Sequence, residues 1–270
     1  MRQQLCQRYA TALVTGASSG LGAAFTQMLL EEGVEVWGTS RAVDSLQKRD
    51  GFHAASLDLA DPASCERFLA AHRELAGRLD LLINNAGAGH FGDLAQTPVD
   101  VVTRQLRVML EGPARLVQWA APGMLARGHG TVVNVASLAR EFPLPYMSTY
   151  NAAKAGLSNL TRSLDLEWAG TGVTAVDFLP GDYRTGFNTA MQSQANGQPS
   201  RARVWAALEA NLRAGPPPEQ AARDLRRALL RRRSGVVVSG TFFQARLAPL
   251  LLRLVTWPVV RAGLRWYYRM

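Results

Sequence analysis

The strongest constraint in this chain is an alternation. Short apolar, β-rich runs are separated by longer stretches with helical periodicity. The run ALVTG (residues 12–16) is followed by the helical AAFTQMLLEEG (residues 23–33), and then by strand-like VEVWGTS, HAASLDL and DLLINNAG. A long helix runs from TPVDVV to PGML with Gly112-Pro113 inside it; GTVVNVAS is a fifth strand and TYNAAKAGLSNLTRSLDLEWAG another long helix. GVTAVDFLP and SGVVVSG make seven strands in all. Helices of this length between strands demand right-handed crossovers, so the pattern predicts an α/β fold: a doubly wound parallel sheet flanked by helices. Ligands of such sheets bind outside the carboxyl ends of the strands, which is where chemistry is to be sought. At 270 residues and 47% hydrophobic content, the chain can fill one large core, and it shows no internal repeat or low-complexity block. GPPPEQ (residues 215–220) reads as a stop before a helix, not as a linker.

The first strand ends in TGASSGLG (residues 15–22), which also opens the first helix. Gly16 permits a tight turn, and Gly20 and Gly22 allow backbone and a pyrophosphate to approach closely. The helix start then offers free N–H groups and the positive end of its dipole to phosphate. Ser18, Ser19 and Leu21 complete this cradle. The end of the second strand selects the nucleotide. An acid there would bond a ribose 2′-hydroxyl, whereas an arginine accommodates a 2′-phosphate. The chain reads GTSRAVD, with Ser40 and Arg41 and no acid at the strand end, which favours NADP(H) over NAD(H).

These residues, with NNAG at 84–87, Ser137, Tyr150-x-x-x-Lys154 and a PG-x-x-x-T tail, resemble the short-chain dehydrogenase/reductase family. The likeness covers about residues 12–185 and weakens toward 240. It implies a Rossmann-type seven-stranded domain over residues 1–240, followed by a C-terminal helical extension at 241–270. It also implies roles. Tyr150 is the general acid toward a carbonyl oxygen, Ser137 binds that oxygen, and Lys154 lowers the phenol's pKa and holds the nicotinamide ribose. Tyr150 and Lys154, at i and i+4, share a helix face, so both reach one cleft. An unperturbed phenol titrates near ~10, and a neighbouring ammonium favours the phenolate. In the same resemblance Asp58 and Leu59 contact adenine; Asn85, Ala86 and Gly87 line the cofactor; Pro180, Gly181 and Thr185 hold the nicotinamide amide and a phosphate. No metal is implied. One position departs: the family's V-N-x-x-G reads VMLEG here, with Met109 in place of an asparagine that kinks the helix and orders a relay water.

Substrate contacts in the family follow the sixth strand, here about residues 182–215, a polar and partly helical segment read as a lid. His90 and Phe91 are read either as pocket-mouth residues or as plain loop. Self-association as a homodimer or homotetramer is expected through the long helices at 98–125 and 149–170.

The charge is uneven. Residues 225–270 hold ten arginines and no acid, so the net charge of +9 resides entirely in this stretch. The tail is at once apolar, aromatic and basic, but Pro249, Pro258, Arg246 and Arg253 interrupt it, so it is not read as a spanning helix. Arg261, Arg265 and Arg269 fall on one helical face beside Val259, Val260, Leu264, Trp266 and Tyr267. Two readings stand: an interfacial helix on anionic lipid, or packing over the substrate cleft. An acidic acyl carrier protein is a third partner, and nucleic acid is not favoured. The residues before the first apolar run carry no export signal, and two distant cysteines suit a reducing compartment, so a cytoplasmic protein is expected, peripherally membrane-associated on the interfacial reading of the tail. The sequence therefore predicts an NADPH-dependent reductase of a hydrophobic ketone or aldehyde, such as a 3-oxoacyl or lipid ketone. The alternatives are the reverse alcohol dehydrogenase and a weakly active NADP(H)-binding scaffold tethered by its tail.

Overall fold

The structure is a computed structural model and describes residues 4–46, 49–87, 89–187, 191–193, 198–231, 234–244, 256–268 and 270. Its centre is a parallel sheet built from β1 (Thr11–Thr15), β2 (Glu35–Ser40), β3 (Phe52–Ser56), β4 (Leu81–Asn84), β5 (Gly130–Val135), β6 (Val173–Pro180) and β7 (Gly235–Ser239). Among the described residues the order is β3-β2-β1-β4-β5-β6-β7. The chain thus winds outward from β1 in one direction and from β4 in the other. The reversal opens a crevice beyond the ends of β1 and β4, where a doubly wound sheet takes its ligand.

The strands are buried on both faces because their side chains alternate between two cores. Leu13, Leu82, Val132 and Ala175 point into one, and Val14, Ile83, Val133 and Val176 into the other. Each such aliphatic side chain contributes about 1.5–3 kcal/mol when fully buried. The second core is closed by α1 (Gly20–Glu31) and α8 (Pro218–Arg231), through Phe25, Leu29, Leu225 and Leu229. Arg226 on α8 also donates to Glu32, just past α1, at 2.7 Å.

The first core is covered by α2 (Pro62–Ala71), α3 (Arg73–Arg78), α4 (Val99–Leu106), α5 (Gly112–Arg127) and α6 (Ser148–Glu167). Their boundaries follow local chemistry. Asp61 caps α2 by accepting from the Ala63 N–H at 3.0 Å, with Pro62 in the first turn, where its missing N–H costs nothing. Gly128 ends α5 in the left-handed conformation at φ +63°.

Two elements complete the description: α7 (Pro199–Ala214), within the segment expected to be the lid, and α9 (Trp257–Tyr267) in the tail. The tail residues Arg246, Pro249, Arg253 and Arg269, and parts of the lid at 188–190 and 194–197, lie outside the described residues. No helix among the described residues is long and apolar enough to cross a membrane.

Candidate active site

The turn after β1 is set by backbone chemistry. Gly16 and Gly20 have φ of +67° and +55°, a region that side chains with a Cβ rarely adopt. Gly22 serves packing instead: a Cβ there would lie 2.1 Å from the Gly16 carbonyl oxygen and 2.5 Å from Asn85 Nδ2. Asn85 stitches the neighbouring strand end to this turn. Its Nδ2 donates to the Thr15 carbonyl at 2.9 Å, while its own N–H and that of Ala86 donate to Thr15 Oγ1 at 2.9 and 3.0 Å. Thr15 is therefore the hub joining the two motifs, a role not read from the sequence.

The catalytic candidates are placed by the sheet as well. Asn84 donates to Asn134 Oδ1 at 2.8 Å, and Asn134 donates to Thr161 Oγ1 on α6 at 2.9 Å, all three buried. This chain of hydrogen bonds pins α6, which carries Tyr150 and Lys154, onto β4 and β5. Lys154 is buried, and its Nζ donates to the Val135 carbonyl at 2.6 Å while lying 5.9 Å from the centroid of the Tyr150 ring. Burial pulls the Lys154 amine down to about 8, against the opposing charge of Asp177. The Tyr150 hydroxyl moves up from its ordinary value. Burial dominates, a hydrogen bond with Ser137 pulls the other way, and the charge of Asp182 adds to the rise. The expected lowering by Lys154 is not found: burial outweighs the Ser137 hydrogen bond, because taking a phenolate out of water costs more than that bond returns.

Eighteen of the nineteen residues singled out from the sequence line one cavity of about 780 Å³. Ser18, Ser19, Leu21, Ser40, Arg41, Asp58 and Leu59 are at one part of it, with Gly87, Ser137, Tyr150, Lys154, Pro180, Gly181 and Thr185 elsewhere on its wall. Gly22 is the exception, for the packing reason given. His90 and Phe91 are not at the pocket mouth. Both are buried, in a two-residue strand paired with Gln192–Ser193, and Phe91 stacks obliquely on Trp205.

The rest of the cavity wall comes from side chains distant in sequence. Phe187 lies against the Tyr150 ring at 5.7 Å between centroids. Leu264, Tyr267 and Tyr268 enter from the tail, and the Tyr267 hydroxyl donates to Asn211 on α7 at 2.9 Å. The described tail thus packs over the cleft. Val259 (56%) and Trp266 (82%) are exposed on the side away from the cleft, while the exposed Trp257 (57%), Arg261 and Arg265 flank a hollow against residues 143–151.

The family model described as short chain dehydrogenase matches residues 10–196, more than half of the chain. This chain belongs to the short-chain dehydrogenase family. A dehydrogenase/reductase SDR family protein 7-like of Anopheles gambiae is 29% identical over 258 residues, covering 91% of this chain and 77% of that one. A short-chain dehydrogenase/reductase from Burkholderia phymatum, solved in complex with NAD, is 26% identical with a TM-score of 0.77, covering 92% of each chain. A metagenomic short-chain oxidoreductase solved with NADP is 25% identical with a TM-score of 0.67, covering 84% of this chain and 95% of that one.

Within this short-chain dehydrogenase the Met109 departure has a defined setting. The helix widens into a π-type turn over Arg107–Glu111, between α4 and α5, so the irregularity forms without asparagine. Met109 is fully buried. A Cβ on Gly87 would be 3.9 Å from both Met109 Sδ and Lys154 Nζ, so the thioether and the amine both border Gly87.

A buried Arg140–Asp177–Ser158 cluster ties the turn after Ser137 to α6 and β6, with Arg140 and Ser158 both donating to Asp177 Oδ2. Sequence reasoning missed it, because its members lie 18 to 37 residues apart with no motif spacing. Asp182 was also missed, although its place directly after Pro180-Gly181 was a readable signal.

Proposed function

We propose that this short-chain dehydrogenase reduces a ketone or aldehyde to an alcohol with NADPH, with Tyr150 donating the proton. The observation that carries the reading is the convergence of Ser137, Tyr150 and Lys154 on the cavity that the nucleotide-loop residues also line. The residues present fit the nucleotide. Two left-handed glycines, Gly16 and Gly20, shape the turn at the start of α1 that a phosphate would occupy, and Gly22 lets that turn pack closely on Asn85. Arg41 is exposed at the end of β2, with no ion pair among the described residues, which suits a 2′-phosphate. Asp58, on the same cavity, has Oδ1 taken by the Ala60 N–H at 2.9 Å. When bound, the dinucleotide supplies the hydride.

The chain's own groups supply the rest. The upward-shifted Tyr150 keeps its proton at neutral pH, the form a general acid for reduction needs. Ser137 lies beside Tyr150 and is positioned to bond the developing alkoxide. Lys154, held by Val135, keeps a positive charge below about pH 8 to steady that alkoxide and the departing proton's phenolate. The apolar wall around Tyr150 (Phe187, Met191, Leu208 and Leu264) suits a hydrophobic substrate of the 3-oxoacyl or lipid-ketone kind.

The exposed residues of α9, Trp266 and Val259 on one side and Trp257, Arg261 and Arg265 on another, together with the arginine-rich tail, support docking on an anionic membrane surface, from which such a substrate would enter. The scaffold reading rests on Met109, buried near Gly87 where the family pattern has asparagine. The test is NADPH consumption against a panel of apolar ketones and aldehydes, with the corresponding alcohols and NADP run in reverse. Turnover of apolar carbonyls that requires Tyr150 supports the reading; tight NADPH binding with no Tyr150-dependent turnover favours the scaffold.

A further inference from the structure

Asp182 is an acid inside a substrate cavity that is otherwise largely apolar. It follows Gly181 at the end of β6 and lines the same cavity as Tyr150, Phe187, Leu208 and Tyr268. Its carboxylate is not free to turn away. Gln244 Nε2 donates to Asp182 Oδ2 at 2.6 Å, and Gln244 Oε1 accepts the Asp182 N–H at 3.4 Å. The two residues are 62 positions apart, so the segment after β7 clamps the strand end after β6.

The clamp occupies one oxygen. Asp182 Oδ1 has no hydrogen-bond or ion-pair partner among the described residues. The charge is near the reacting group: it raises the hydroxyls of Tyr150, Tyr267 and Tyr268 alike. Burial raises Asp182 itself, with the Gln244 hydrogen bond opposing. This oxygen opens on the cavity and is not shut off from water, so a bound molecule that displaces the water must donate to it or leave the charge unpaired. The same charge disfavours an anionic group on a bound molecule at this point.

Resting on the reductase reading above, we infer that Asp182 is a specificity residue for substrates bearing a second polar group, a hydroxyl or an ammonium, that donates a hydrogen bond to it while the carbonyl faces Tyr150. The substrate class is therefore narrower than an apolar ketone: a hydroxy- or amino-ketone on a hydrophobic skeleton.

The experiment compares kcat/KM with NADPH for ketones of one carbon skeleton, either unsubstituted or carrying a hydroxyl or an amine at successive carbons from the carbonyl. Wild-type protein is expected to prefer at least one donor-bearing ketone by about 10- to 100-fold, the range of a hydrogen bond to a charged group. In Asp182→Ala that ratio should fall toward one. Asp182→Asn should lose the preference for the amine while retaining part of that for the hydroxyl, since an amide oxygen still accepts. NADPH binding by each variant, followed by fluorescence, shows that the fold and the nucleotide site survive. Reduction of the plain ketone without preference for any donor-bearing partner overturns the role of Asp182 and leaves the reductase reading standing. So does a preference that persists in Asp182→Ala. Failure of every ketone to react although NADPH binds overturns both.

Discussion

The two halves of the cleft are built in different ways. The nucleotide half is largely backbone: turns at the ends of β1, β2 and β4, the first set by the left-handed Gly16 and Gly20 and stitched to the last through Asn85 and Thr15. The substrate half is made of side chains from five separate segments, held by single long-range contacts such as Tyr267 to Asn211 and Gln244 to Asp182. A backbone cradle tolerates little change, because a misplaced Cβ strikes a main-chain atom. A wall of side chains can be exchanged while its frame stands. The first half is therefore the more constrained of the two, and the second the more open to substitution.

Breaking the point where the halves meet should have the largest effect. Tyr150→Phe is expected to lower kcat by about 10²- to 10⁴-fold, the range of a general acid, with NADPH binding retained in a direct titration. The nucleotide half is probed next. Arg41→Ala should weaken NADPH by about 10- to 100-fold, one charge-assisted contact, and leave NADH little changed. Equal losses for both nucleotides would remove Arg41 from the 2′-phosphate. A pH series sharpens the account of Lys154. Its amine is charged below about 8 and neutral above, while Tyr150 stays protonated because its shift is upward. The profile of kcat/KM for reduction should therefore be flat from pH 6 to about 7.5 and then fall by about tenfold per unit on the alkaline side of the Lys154 titration. A rate that climbs through this interval would mean that the neutral amine is the working form.

The smallest effect belongs to the substrate half. Tyr267→Phe removes one exposed-side hydrogen bond to Asn211, at about 0.5–1.5 kcal/mol, and should raise KM for an apolar ketone by about 2- to 10-fold with kcat preserved. A loss in kcat as large as that of Tyr150→Phe would erase the distinction between the halves.

The same distinction explains what could be read in advance. The seven strands, their parallel winding and the nucleotide loop are written in short-range patterns: continuous apolar runs such as β1 and β5, buried along their whole length, glycines at fixed spacing, and an i,i+4 tyrosine and lysine. The charge at the end of β2 was legible for the same reason. The upward movement of the Tyr150 hydroxyl was not, since burial is a property of the folded surroundings and not of spacing. Nor was the fate of the tail. Its apolar and basic content fitted lipid or self-packing equally, and the described part of α9 does one thing on each side: Tyr268 is buried over the cleft and Trp266 faces outward. Met109 was read as the loss of a kink, whereas the helix opens into a π-type turn at that place because the bulge does not depend on an asparagine side chain.

The most direct measurement follows a single deuterium. The protein is given NADPH deuterated at C4 of the nicotinamide, together with an apolar ketone, and the alcohol is examined by mass spectrometry in wild-type and Tyr150→Phe preparations. The account predicts deuterium on the carbinol carbon in the wild type, with its rate of appearance collapsing in the variant although the nucleotide still binds. Alcohol that lacks the label, or labelled alcohol formed equally fast without the phenolic hydroxyl, would contradict it.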